Sequence, residues 1–160
     1  MKKLKVIGIG QSFRGDDAIG IKIVEEWWKL SLSFIEENSI EIEISSLPGV
    51  GLIDMMVGFE TVIFVDAVQT GFEPPGTIYK LREKQLDSFV SSAKSAHGWG
   101  AAESLRLGRE LRAGEMPETV RILGIEAAQF EMGAEISDAI KEKFSEIIDT
   151  LQSMAEEAFN

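Results

Sequence analysis

The apolar and polar positions of the chain follow two different periods. Residues 4–9 form a short apolar run, and residues 61–65 form a run of β-branched residues and phenylalanine, which is typical of buried parallel strands. Residues 40–44 alternate isoleucine with glutamate, as in a half-buried strand near the edge of a sheet. A last strand is predicted at residues 119–125, with Glu126 at its end.

Apolar residues at helical spacing separate these strands. They predict an amphipathic helix at residues 18–30, a short helix at residues 52–57, a third at residues 101–113 and a terminal one at about residues 136–159. Residues 85–96 are polar and weakly patterned, and they predict a loop with a short helix. Strands that alternate with helices in this way are typical of an α/β protein.

One strand is predicted to run against its neighbours. Residues 69–76 contain two glycines and two prolines and leave no room for a crossover helix. The strand that follows, at residues 77–81, is therefore expected to be antiparallel to the strand at residues 61–65. The order β-α-β-α-β-β-α-β-α, without repeats or linkers, predicts a single α/β domain over residues 1–160.

The charge of the chain narrows the possible partners. There are 16 lysines and arginines against 27 aspartates and glutamates, which gives a formal net charge of −11. Nucleic acid and anionic membranes are not expected as partners, because both need clustered positive charge. Solubility accounts for most acidic surfaces, and a basic or cationic partner is the more specific alternative.

Two scarce residue types exclude whole classes of site. The chain has no cysteine, which excludes disulfides, thiolate zinc sites and a cysteine nucleophile. His97 is the single histidine, so a zinc site with two or three histidine ligands cannot form within one chain. The first residues lead into no apolar segment of signal-peptide length, and no run of about 20 apolar residues occurs. A cytoplasmic location is therefore expected.

The glycine-rich loop after the first strand departs from both phosphate-binding motifs that it resembles. A dinucleotide fingerprint needs glycine where the chain has Phe13. A P-loop needs lysine and then serine or threonine after Gly15, where the chain has Asp16 and Asp17. Two carboxylates repel a phosphate and attract a cation, so the loop is predicted to hold a metal ion or a basic group rather than a nucleotide.

Carboxylate and imidazole groups are predicted to meet at one edge of the sheet. Asp16 or Asp17 follows the first strand, Asp66 ends the third, and His97 lies in a loop before a helix. Two carboxylates and one imidazole form a small site with open positions, which suits a divalent first-row metal. Each residue also has an ordinary explanation, such as helix N-capping for one of the first pair or a loop position for Asp66. Taken together, they favour a functional site.

Two other protein classes share part of this constellation. A response-regulator receiver also has an acidic pair and a strand-end aspartate, but it needs a lysine after the last parallel strand, where this chain has Glu126. A Ser-His-Asp hydrolase would have to use His97 as its base, and no Gly-x-Ser-x-Gly elbow occurs. Both classes are disfavoured.

Four blocks of sequence carry a family resemblance when they are taken in order. They are residues 7–20, residues 62–68 with Gly71 and residues 75–76, residues 95–97, and residues 124–126 with Phe130, Gly133 and Ser137. The chain resembles the hydrogenase maturation endopeptidases over nearly its whole length. These proteases trim the C-terminal extension from the large subunit of nickel–iron hydrogenases. The resemblance implies a three-layer fold, in which a twisted five-stranded, mostly parallel sheet with one antiparallel strand has helices on both faces.

The resemblance also implies roles for the candidate residues. Asp17, Asp66 and His97 match the three metal ligands of the family, and the metal is understood as nickel that the substrate already carries, with another divalent metal as the alternative in vitro. Asp16 and Asp17 are the candidate catalytic residues, one of them as a general base for the attacking water, with Asp16 as an orienting group. Gln11 stands where the family usually has asparagine, and Asp138 where it often has proline; neither departure affects the three ligands.

The expected function is therefore an aspartyl-endopeptidase-like, nickel-recognising hydrolase. Its substrate and partner would be a nickel-loaded hydrogenase large-subunit precursor, which loses its C-terminal extension during maturation. The alternative is a non-catalytic chaperone that binds the metallated precursor through the same site. A third possibility is an acidic metal-binding domain with an unrelated partner. The first two both predict metal-dependent binding, so only the detection of a cleaved tail separates them.

Overall fold

A computed structural model describes residues 2–46, 51–90 and 100–160. Five strands form one sheet in the order β2-β1-β3-β5-β4, in which β4 is the antiparallel strand. The strands are β1 (Lys2–Ile9), β2 (Glu41–Ser45), β3 (Phe59–Val68), β4 (Ile78–Arg82) and β5 (Thr119–Glu126). The predicted five-stranded, mostly parallel sheet is confirmed, and β2 lies at an edge as expected.

Six α-helices connect and cover the strands of the described chain. They are α1 (Ile19–Leu30), α2 (Leu32–Glu37), α3 (Gly51–Met56), α4 (Leu86–Val90), α5 (Gly100–Leu111) and α6 (Asp138–Glu156). A 3-10 helix (Gly15–Ala18) precedes α1, and two shorter ones follow β4 and α6. The sequence pattern did not resolve α2, because residues 31–35 alternate serine with apolar residues. None of the described helices is long and apolar enough to span a membrane.

The two faces of the sheet are buried by different helices. Alternate residues of each strand point to opposite faces, so Val6 and Val65 pack with α1 and α6, whereas Ile7 and Phe64 pack with α3 and α5. The sheet thus lies between two helical layers, as expected from the resemblance.

Two strands differ from the prediction in ways that affect the site. β3 continues to Val68 instead of ending at Asp66, because its pairing with β5 extends to Val68 opposite Glu126. β4 runs against β3 in direction, as predicted, but its hydrogen-bonded neighbour is β5. Asp66 is therefore a residue within a central strand and not the first residue of a loop.

The start of α1 is packed directly onto the ends of the central strands. A Cβ atom at Gly20 would lie 2.3 Å from the Ile9 carbonyl oxygen and 2.4 Å from that of Val65. Only glycine permits this approach of helix and sheet. The contact fixes the preceding 3-10 helix, which carries Asp16 and Asp17, beside β3.

Candidate functional site

The loops that carry the candidate residues share one edge of the sheet. β1, β3 and β5 are parallel, so the loops that follow them leave the sheet at the same edge. These loops are residues 10–14, residues 69–77 and residues 127–137. Open parallel sheets bind ligands at this edge.

Asp16 binds the loop that follows β5. Its side chain is fully buried. Its Oδ2 accepts hydrogen bonds from the Ala128 N–H at 2.8 Å, the Gln129 N–H at 3.3 Å and the Ser137 hydroxyl at 2.9 Å. Its Oδ1 accepts one from the Ser137 N–H at 2.6 Å. Four donors occupy the acceptor positions of this carboxylate, so Asp16 joins the 3-10 helix to the segment that leads into α6.

Ser137 and the N-terminus of α6 stabilise the buried carboxylate of Asp16. It is the N-cap residue of α6, yet its hydroxyl and its N–H both donate to Asp16. The carboxylate thus lies at the positive end of the α6 dipole. Hydrogen bonds and the dipole together offset the cost of taking the charge out of water.

Asp17 is also fully buried and has different contacts. Its Oδ2 accepts a hydrogen bond from the Gln11 N–H at 3.1 Å. A Cβ atom at Gly10 would lie only 2.1 Å from the Asp17 carbonyl oxygen, so the glycine lets the loop fold back on the 3-10 helix. The N-cap residues of the 3-10 helix and of α1 are Arg14 and Ala18. Neither aspartate is therefore the N-cap residue of the 3-10 helix or of α1.

Asp66 lies inside β3, opposite Gly124 of β5, and is 1% exposed. Strand alternation places it on the same face as Phe64, which α3 and α5 cover. A carboxylate at such a position of a central strand is unusual, because strands buried on both faces are mostly apolar. The 3-10 helix that carries Asp17 contacts β3, so both acidic elements meet at this edge.

His97, the predicted imidazole ligand, lies outside the described residues. Within residues 2–46, 51–90 and 100–160, no three Asp, Glu, His or Cys side chains form a group that could hold a metal ion. The ligand set Asp17, Asp66 and His97 therefore stays a prediction, and so do the catalytic roles of Asp16 and Asp17.

A fourth buried carboxylate, Glu126, holds the loop between β3 and β4 at this edge. Glu126, which ends β5, is 1% exposed. It accepts hydrogen bonds from the Thr70 N–H at 2.8 Å, from the Thr70 hydroxyl, and from the Tyr79 hydroxyl at 3.0 Å. Burial raises the pKa of the Tyr79 phenol above its ordinary value, and the negative charge of Glu126 adds to this effect. The loop between β3 and β4 is thereby tied to β5.

The sequence predicted Asp16 as an orienting group, but it predicted neither the hydrogen-bond partners of Asp16 nor the role of Glu126. Ser137 and residues 124–126 are parts of the family resemblance. This resemblance is the only feature of the sequence that marks them as important to the site. The hydrogen-bond partners of Asp16 and Glu126 lie between 47 and 121 residues away along the chain.

A cavity of about 690 Å³ opens beside the 3-10 helix, between it, α1, α6 and the loop after β5. It is lined mainly by apolar groups, among them Phe13, Ala18 and Phe144. A larger cavity of about 760 Å³ lies at the opposite edge of the sheet, where Lys3 and Arg121 line it. The larger cavity is therefore remote from the buried carboxylates, and we assign the site to the edge that carries them.

The functional groups at this edge of the sheet are buried carboxylates. Carboxylate oxygens bind divalent cations, and an imidazole extends the range to nickel and similar first-row metals. A carboxylate can also accept a proton from a water molecule during hydrolysis. Four hydrogen bonds occupy the acceptor positions of Asp16, so Asp16 is a weak candidate for either task.

Comparison with known proteins gives a consistent result. The sequence model of the hydrogenase maturation protease family (HycI) matches residues 47–154, which is more than half of the chain. The hydrogenase 2 maturation protease of Escherichia coli K12 is 28% identical over 123 residues, which cover 77% of this chain and 72% of that protein.

Solved structures show a similar fold. The hydrogenase maturating endopeptidase HybD from E. coli superposes with a TM-score of 0.80 at 22% identity, covering 97% of this chain and 93% of that one. The [NiFe] hydrogenase maturation protease HybD from Thermococcus kodakarensis gives a TM-score of 0.73 at 20% identity, covering 95% and 98%.

Proposed function

The chain belongs to the hydrogenase maturation protease family, and on that premise we propose that it is an endopeptidase that removes the C-terminal extension of a nickel-loaded hydrogenase large-subunit precursor. The observation that carries the proposal is the family match together with two buried aspartates, Asp17 and Asp66, at the ligand-binding edge of the sheet. A buried carboxylate in a central strand costs stability, so a functional reason for Asp66 is favoured over a structural one.

We assign the recognition of nickel to Asp17, Asp66 and His97. The metal enters as part of the substrate, so these ligands would test whether the precursor is loaded and would hold its tail at the site. Two carboxylates and one imidazole suit nickel and leave coordination positions for groups of the precursor. Holding the tail in this way turns cleavage into a reaction between groups already in place.

Hydrolysis then needs a base for the attacking water, and we assign this role to Asp17. A carboxylate within hydrogen-bond reach of the water accepts its proton as the oxygen attacks the peptide carbonyl, and a proton passes to the leaving amine. Asp16, with four hydrogen bonds from the loop after β5, positions the 3-10 helix instead. We further propose that the reaction takes place in the cytoplasm, as expected from the sequence.

The test is a mass-spectrometric cleavage assay with purified precursor, with and without loaded nickel. The proposal expects loss of a short C-terminal peptide from the nickel-loaded precursor alone. Asp17→Ala and His97→Ala should abolish this cleavage, whereas Asp149→Ala, which removes an exposed carboxylate on α6, should not.

Circular dichroism of each variant shows whether the fold is kept. Loss of the folded spectrum in Asp17→Ala would point to a structural role for that residue. Nickel-dependent binding without cleavage by the wild type would favour the chaperone alternative. A wild type that neither binds nor cleaves a cognate precursor would refute the proposal.

A further inference from the structure

The most exposed large apolar side chains of the described chain all lie in loops at the edge of the sheet that carries the buried aspartates. They are Phe13, Phe72 and Met132, which are 77%, 74% and 73% exposed. Each belongs to a different loop, following β1, β3 and β5 respectively, and all three loops leave the sheet at the same edge. We call these three residues the apolar rim.

The backbone that carries the apolar rim is held in place. The Gly133 N–H donates to the Phe13 carbonyl oxygen at 2.7 Å, which joins the first and third loops. The Phe72 N–H donates to the Thr70 hydroxyl oxygen at 3.1 Å, and Thr70 is itself bound to Glu126. Since these loops are already ordered, a partner that covers the rim would lose little entropy in ordering them.

The cavity beside the rim differs in charge from the rest of the molecule. The whole chain has a formal net charge of −11, but the charged residues lining this cavity are Lys22, Lys141 and Glu135. Lys141 forms an exposed ion pair with Glu135 at 3.4 Å. No described carboxylate lies within ion-pair distance of Lys22. The cavity is therefore complementary to an apolar segment that carries a negative charge.

We propose that the apolar rim and this cavity dock the large-subunit precursor through an apolar segment of the precursor that bears a carboxylate. The inference rests on the proposed function and identifies the surface that holds the substrate. Gly15 and Ala18 form part of the cavity wall and flank Asp16 and Asp17 in the 3-10 helix. A precursor bound in this cavity has its segment beside Asp16 and Asp17, and the rim adjoins the cavity through Phe13, which lines it.

The test separates binding from catalysis. KM and kcat for cleavage of the nickel-loaded precursor are measured for the wild type and for a Phe13→Ser/Met132→Ser variant. We expect KM to rise at least tenfold while kcat changes less than twofold. The matched control is Leu30→Ser/Leu111→Ser, which removes side chains that are 67% and 69% exposed at the ends of α1 and α5. Its KM should stay within twofold of the wild-type value.

A charge reversal tests whether the cavity binds a carboxylate of the precursor. Lys22→Glu should raise KM about threefold to tenfold at 50 mM salt and much less at 500 mM, since salt screens exposed charges. Lys29→Glu, which changes an exposed lysine in the last turn of α1, is the control and should leave KM within twofold.

The KM values of these variants and the association state of the wild type decide whether the rim docks the precursor. An unchanged KM in the Phe13→Ser/Met132→Ser variant, or an equal rise in the leucine control, would overturn it while the protease function stands. Wild-type self-association in sedimentation velocity that this variant abolishes, with KM unchanged, would assign the rim to a dimer instead. A wild type that neither binds nor cleaves the precursor would refute the proposed function itself, and the inference with it.

Discussion

Asp16→Asn changes the acceptors of a buried group without changing its size. The carboxylate accepts three hydrogen bonds at Oδ2 and one, from the Ser137 N–H, at Oδ1. Asparagine offers one acceptor oxygen, and its other terminal atom is an NH2 donor. If the oxygen takes the Oδ2 position, the NH2 group faces the Ser137 N–H at the present 2.6 Å contact, and two donors meet.

The expected loss of stability follows from this geometry. A hydrogen bond to a charged group contributes about 1.5–3 kcal/mol, and the bond to the Ser137 N–H is lost. The three remaining bonds lose the charge that roughly doubles their strength. We expect the free energy of unfolding to fall by about 3–5 kcal/mol, a large part of the roughly 5–15 kcal/mol typical of a domain.

Urea unfolding followed by tryptophan fluorescence measures this loss, because Trp27 is fully buried and its emission changes on unfolding. The control is Asp149→Asn, which removes the same charge from an exposed position on α6 and should change stability by less than about 0.5 kcal/mol. A loss below about 1 kcal/mol for Asp16→Asn would refute the reasoning. So would an equal loss in the control.

The same variant separates a positioning role from general-base catalysis. If Asp16 only holds the loop after β5, folded Asp16→Asn at low temperature should cleave precursor within about tenfold of the wild-type rate. Loss of a general base costs about 100-fold to 10,000-fold even when the protein is folded. Such a loss, with an intact circular dichroism spectrum, would show that Asp16 acts as a general base.

Two further predictions concern packing and pH. Gly20→Ala should lower the free energy of unfolding by about 1–3 kcal/mol or more, because the new methyl group overlaps strand carbonyl oxygens. Urea unfolding measures this loss. The control is Gly114→Ala, where nothing lies within 4 Å; it should be neutral or stabilising by about 0.4–1 kcal/mol. Burial raises the pKa of Tyr79 above 10.0, so the unfolded chain loses this proton first and stability should fall as pH rises above 10. The phenolate absorbance at 295 nm reports Tyr79 alone, since the chain has one tyrosine.

Clear results would contradict these two predictions. Equal stability of Gly20→Ala and the wild type would mean that α1 can move off the strand ends without cost. A Tyr79 midpoint at or below 10.0 would mean that the phenol is more accessible than its contacts with Glu126 and Thr70 indicate.

Local patterns were sufficient for most of the fold. The runs that became β1 and β3 were predicted because apolar β-branched residues recur without a polar break, and α6 because its apolar residues recur at helical spacing. The predicted end of β3 was wrong. Asp66 interrupts the apolar run, but the backbone pairing with β5 continues past it. Pairing depends on a neighbouring strand that lies far away in the sequence.

The sequence by itself determined the order of the strands and of every helix except α2, the antiparallel strand, and the carboxylates after the first strand and in the third. These features depend on residue type and spacing within short segments. Only the tertiary structure decided that Asp16 binds Ala128 and Ser137, residues that follow it by 112 and 121 positions. It also decided that the most exposed large apolar side chains among the described residues share one edge of the sheet with the buried aspartates. The physical reason is that hydrogen bonds and burial depend on distance in space, whereas periodicity records only distance along the chain.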